Sequence, residues 1–221
     1  MNKVYLHTLT IRIWHWLNAL IVLILLITGV QLRVPGIEIL PKFSMAVWIH
    51  KYIGFAMAAS FIFWLIYEIV SRSFGRHYLL RPADARSMGQ QTVFYCVGIF
   101  RGQKNPFTPT AAGKFNSLQK MAYGSVMLIF TPVIVITGIF FSDIFFFRKA
   151  IDFFSGIRVL DALHVITAYI FLLYLIVHIY MSTLGHSIFA HSKAMIVGYE
   201  EEPDEAHGEG GPGSPEVERK G

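Results

Sequence analysis

A chain of 221 residues could form one or two soluble domains, but 54% of its residues are hydrophobic and 15% are charged, with a mean hydropathy of +0.52. That is too apolar for a water-soluble fold and marks an integral membrane protein. The formal charge of +5 comes from basic residues gathered in one loop rather than on a soluble patch, so no nucleic-acid partner is expected. The single cysteine, Cys96, excludes an internal disulfide, a Cys-held iron–sulfur cluster and a covalent c-type haem.

Four apolar runs are long enough to cross about 30 Å of hydrocarbon as helix: residues 13–32, 45–70, 118–141 and 160–184. The first exceeds the apolar core of a secretory signal and is followed by no small-residue cleavage site, so it is expected to stay in the mature chain. Between the second and third runs, Arg72, Arg76, Arg81, Arg86, Arg101, Lys104 and Lys114 face only Asp84. This excess of positive charge predicts a cytoplasmic loop, with lipid around the spans and both termini in the cytoplasm. Within the loop, residues 92–100 concentrate Val93, Phe94, Tyr95, Val97, Ile99 and Phe100. That stretch reads as an interfacial helix or as a helix buried under the bundle. The pattern predicts an all-α membrane domain over residues 1–199, and the acidic, Gly- and Pro-rich composition of residues 200–221 predicts a disordered cytoplasmic tail.

Four histidines, His15, His50, His164 and His178, fall inside the spans, where an ionisable side chain is costly and a functional role is the default reading. His164 and His178 are 14 residues apart on one helix, a net offset of only about 40°, so they share a face. The same spacing separates them by about 21 Å along the axis, one near each membrane surface. Counting depth from the helix ends pairs His15 with His178 on the cytoplasmic side and His50 with His164 on the outer side. Two bis-histidine pairs stacked in a four-helix bundle are the ligand set of two non-covalent b haems. Zinc would need further protein ligands at each site.

Supporting residues have two readings each. Gly29, Gly124 and Gly138 serve either close helix packing or clearance for a porphyrin face, and Trp14, Trp16 and Trp48 either touch haem or form an aromatic belt. Arg12 and Lys51, beside two ligands, either pair with haem propionates or snorkel to lipid phosphate. Asn116 followed by Gln119 fits a capping box at the start of span three. A proton channel or transporter with relaying histidines is the competing class. It is disfavoured because Glu68 and Asp161, each near a span end, are the acids within the spans and no internal repeat is evident.

Arg12, Trp14, His15 and Trp16 opening span one, Gly113-Lys114-Phe115-Asn116 with Gln119-Lys120 opening span three, the His164 and His178 pair, and residues 194–198 after span four resemble prokaryotic cytochrome b561-like membrane subunits. The resemblance covers residues 7 to 200. It looks closest to the gamma subunit of respiratory formate dehydrogenase, with the b-type subunits of nickel-iron hydrogenase and thiosulfate reductase as relatives. It implies a di-haem anchor in the bacterial inner membrane, passing electrons between an extracytoplasmic iron–sulfur or multihaem subunit, with its catalytic partner, and membrane menaquinone or ubiquinone. It also implies a cytoplasmic quinone pocket walled by Gly113, Asn116 and Gln119, against which stands their capping role. His186 and His191 are read either as proton carriers for that pocket or as solvated tail residues. The short outer loop at 33–44 and the tail depart from the family pattern.

Overall fold

The computed structural model describes residues 3–5, 7–72, 75, 82–103, 116–183 and 190–201. Four helices in it are long and apolar enough to span a bilayer: α1 (Leu9–Arg33), α2 (Phe43–Val70), α4 (Ser117–Ser142) and α6 (Ile157–Ser182). Shorter helices complete the chain: α3 (Pro82–Val93), α5 (Arg148–Phe153) and α7 (Ala190–Val197). In each span no more than 17% of the most apolar window is buried within the protein. Many apolar side chains are therefore exposed on the outside of the bundle, a surface that lipid covers without cost.

Local chemistry sets the helix ends. Thr8 accepts a hydrogen bond from the Ile11 amide and starts α1 at Leu9, four residues before the long apolar run. Beyond α1 the outer loop is pinned by Gln31, whose side chain accepts from the Leu40 amide at 2.8 Å and donates to the Leu40 carbonyl at 3.0 Å. Helix α3 begins ten residues before the apolar stretch at 92 and runs into a wide turn at Phe94–Gly98 and a tight one at Ile99–Arg101. It stops at Gly102, whose φ of 68° suits glycine. Phe94 is buried while Val93 and Phe100 are exposed, so this segment has one covered and one open apolar side. The Asn116–Gln119 capping box is formed in both directions and starts α4. A wide turn at Val126–Phe130 interrupts α4 just before Pro132, which lacks an amide proton to continue the ladder.

The closest helix pairings are α1 with α2, α2 with α4 and α4 with α6. At mid-depth each span contributes one buried side chain to a common core: Ile21, Met57, Val126 and Phe171. The two chain ends meet on one face of the bundle. Strand β1 (Lys3–Tyr5) pairs antiparallel with β2 (Tyr199–Glu201), Lys3 opposite Glu201 and Tyr5 opposite Tyr199. Ordered structure thus runs two residues past position 199, because β1 supplies Glu200 and Glu201 with backbone partners that composition alone does not reveal. Residues 202–221 lie outside the described part.

Candidate functional site

The four histidines within the apolar helices lie in two pairs. On the face that carries the termini, His15 of α1 meets His178 of α6 with ring centres 6.1 Å apart. On the opposite face, His50 of α2 meets His164 of α6 at 6.3 Å. Two imidazoles bound to one metal from opposite sides, at about 2 Å per bond, have ring centres a little over 6 Å apart. Among the described residues, no group of three or more His, Cys, Asp or Glu could hold a metal ion. Each pair therefore fits a metal that brings its own remaining ligands, as a porphyrin iron does.

The pair away from the termini is held firmly. Thr28 Oγ1 lies 2.8 Å from His50 Nδ1 and Thr137 Oγ1 lies 2.8 Å from His164 Nδ1. The next residue in each case is glycine. A Cβ on Gly29 would sit 3.4 Å from His50 Cε1, and one on Gly138 would sit 3.5 Å from His164 Cε1. The glycines thus let an imidazole lie against the neighbouring backbone, a third use beside the two that spacing offered. Phe141 meets His164 edge-on at 5.7 Å.

Aromatic rings dominate the pair beside the termini. Tyr174 stacks on His178 at 5.6 Å, Tyr123 approaches it at 6.4 Å, and Trp16 meets His15 edge-on at 5.2 Å. His15 Nδ1 is buried without a hydrogen-bond partner among the described residues. The two levels are about 21 Å apart along α6. Between them lies the Ile21, Met57, Val126 and Phe171 core.

The two cations beside ligand positions have other partners here. Arg12 Nη1 donates to the Ile196 carbonyl near the end of α7, and Lys51 Nζ donates to the Ser142 carbonyl ending α4 at 2.8 Å. Both serve helix C-termini, which carry unsatisfied carbonyls. Arg12 Nε remains buried and unpartnered among the described residues. Trp14 Nε1 donates to Ser60 O on α2 and Trp16 Nε1 to Met195 O on α7, so these indoles tie helices together. Trp48 is exposed, as an aromatic belt requires.

Around the start of α4, Asn116 Oδ1 accepts from the Gln119 amide at 2.8 Å and Gln119 Oε1 accepts from the Asn116 amide at 3.0 Å. Asn116 Nδ2 also donates to Tyr95 OH at 3.2 Å. These side chains are occupied by the cap, in a polar network where Asp84 accepts from Ser117 at 3.2 Å and pairs with Lys120 at 3.4 Å. Gly113 and His186 lie outside the described residues. His191 falls within α7.

Composition and helical spacing alone do not single out the two threonines. Their signal is a short repeat, Ile27-Thr28-Gly29 and Ile136-Thr137-Gly138, each on the helix beside a ligand-bearing helix.

The profile of the family described as prokaryotic cytochrome b561 matches residues 6–198. The chain is also 32% identical over 201 residues, 90% of this chain and 75% of the relative, to "Putative cytochrome YdhU" of Escherichia coli (strain K12). The match spans all four histidines and all four apolar helices, and the chain belongs to the prokaryotic cytochrome b561 family, membrane b-type cytochromes of electron transfer.

Proposed function

We propose that this chain is the di-haem membrane-anchor subunit of a respiratory oxidoreductase complex in the bacterial inner membrane. It moves electrons between an extracytoplasmic iron–sulfur or multihaem subunit, which serves a catalytic partner, and the menaquinone or ubiquinone pool. The observation that carries this reading is the pair of bis-histidine sites at two depths, with ring centres 6.1 and 6.3 Å apart.

A b haem supplies one-electron exchange between ferric and ferrous iron. The protein's part is to hold, orient and insulate. His15 with His178, and His50 with His164, would each hold one such group between their two imidazoles. Ile21, Met57, Val126 and Phe171 keep the layer between the levels apolar. That layer supports electron passage over proton passage, because a proton relay needs polar groups or water along its whole length. Arg12 and Lys51, though bonded to carbonyls, keep further N–H donors near the His15 and His50 levels for carboxylate groups.

The cationic loop from Arg72 to Lys114 orients the terminal face toward the cytoplasm. Quinone then reacts on the face of His178. Asn116 and Gln119 shape the wall of its pocket through their capping box, and Gly113 is assigned to the same pocket by the family resemblance alone. Electron transfer between the two levels is coupled to the membrane potential at about 2.3 kcal/mol per charge per 100 mV for the full field.

The test is a dithionite-reduced spectrum with a haem count, followed by titration of a quinone analogue. Two b haems per chain are expected. The analogue should perturb the haem that is lost in His178→Ala, and perturbation confined to the other haem would place the quinone site on the opposite face.

A further inference from the structure

We infer that Thr28 and Thr137 are paired positioning residues that fix the tautomer and orientation of His50 and His164, and so set the redox properties of one haem level and not the other. The inference rests on the haem assignment above. Each threonine hydroxyl has one hydrogen, and each spends it on its own helix: Thr28 Oγ1 donates to Ile24 O at 2.7 Å, and Thr137 Oγ1 donates to Val133 O at 2.8 Å. Toward the imidazole, 2.8 Å away in both cases, the oxygen can therefore only accept. The proton must sit on Nδ1, which leaves the Nε2 lone pair for iron.

Gly29 and Gly138 complete each unit by leaving room for the ring's Cε1 edge. The two Ile-Thr-Gly units lie on α1 and α4 and act on α2 and α6, so the level away from the termini is built twice over from one local device. The other level lacks it at His15, whose Nδ1 is buried with no hydrogen-bond partner among the described residues.

An imidazole that donates from Nδ1 is a more basic ligand, and a more basic ligand favours ferric iron. Thr28→Val and Thr137→Val keep shape while removing the acceptor. Each should raise the midpoint potential of the His50–His164 haem, shift its low-spin electron paramagnetic resonance signal, and speed its loss to a haem acceptor about 10-fold or more, in line with the usual effect of removing such a partner. The His15–His178 haem should not move. Thr28→Ser and Thr137→Ser restore the oxygen without the methyl group and should return the potential toward wild type; a packing role would make serine as harmful as valine. Thr131→Val removes another buried hydroxyl, bonded to Val126 O at 2.8 Å and touching no histidine, and should leave both haems unchanged. An unmoved His50–His164 haem in both valine variants, or equal shifts of the two haems, overturns the inference. If His164→Ala instead kept both haems, the haem assignment itself would be wrong, whatever the threonines do.

Discussion

The two histidine levels share α6 as a common post and differ in almost everything around it. Away from the termini, ring nitrogens are bonded to threonine, glycines admit the imidazole edges, and short loops close the bundle. Beside the termini, the rings sit among Trp16, Tyr123 and Tyr174, and the bundle end is capped by α3, α7 and the β1–β2 pair. A bonded imidazole has one orientation and one tautomer, whereas a stacked one keeps rotational latitude. The difference teaches that two like histidine pairs need not make like sites: one is held by hydrogen bonds to threonine, and the other lies among aromatic rings at the polar end of the bundle.

The largest effect that can break this comparison is loss of a ligand. His50→Ala and His164→Ala should each abolish the same haem, and His15→Ala and His178→Ala the other, seen as halved reduced b-band absorbance with matching residual spectra. A match between His15→Ala and His164→Ala would dissolve the two-level description altogether.

Next come the glycines. At 3.4 and 3.5 Å from a ring atom, an alanine Cβ at Gly29 or Gly138 makes ordinary contact, while leucine must displace the imidazole. Gly29→Ala and Gly138→Ala should keep both haems, and Gly138→Leu should lose or convert to high spin the haem at its own level only. Two intact low-spin haems in Gly138→Leu would show that the ring is not seated against that backbone.

Orientation sharpens the comparison by naming its faces. An alkaline phosphatase fused after Tyr199 should be inactive and one inserted in the 34–42 loop active, since the loop from Arg72 to Lys114 carries the positive charge. The reverse pattern would exchange the two haems' roles and move the quinone site with them.

A smaller effect separates scaffold from pocket at the terminal face. Asn116→Ala removes the cap acceptor of α4 and should cost about 1 kcal/mol of stability, lowering the thermal midpoint while leaving the analogue's affinity within about two-fold. A large affinity loss at unchanged stability would make Asn116 a direct quinone ligand. Smallest of all is the Arg33–Asp161 ion pair, 3.3 Å long with both side chains about half exposed. Removing either member should change stability by less than about 1 kcal/mol and neither haem's potential, and a shifted potential would extend the rigid level to its rim.

The local residues already contain the four spans, the shared face of His164 and His178, the two depths, and the Asn116–Gln119 cap. Each follows from helical rise, helical period or i to i+3 spacing within one segment, and crossing an apolar slab admits little besides helix. The family resemblance was legible for the same reason, since its histidines sit at helix-internal spacings. What the linear chain leaves open is which neighbour each side chain reaches across a helix interface. Arg12 and Lys51 sit beside ligands in sequence but bond the carbonyls of Ile196 and Ser142, because a helix end packed nearby offers unsatisfied acceptors to a long flexible cation. Thr28 and Thr137 stand 22 and 27 positions from the histidines they bond, and only the packing of α1 on α2 and of α4 on α6 brings them within 2.8 Å. The closure of the chain by β1 and β2 likewise needed tertiary structure: three-residue strands nearly 200 residues apart have no period to read, and they pair because the bundle delivers both segments to the same face.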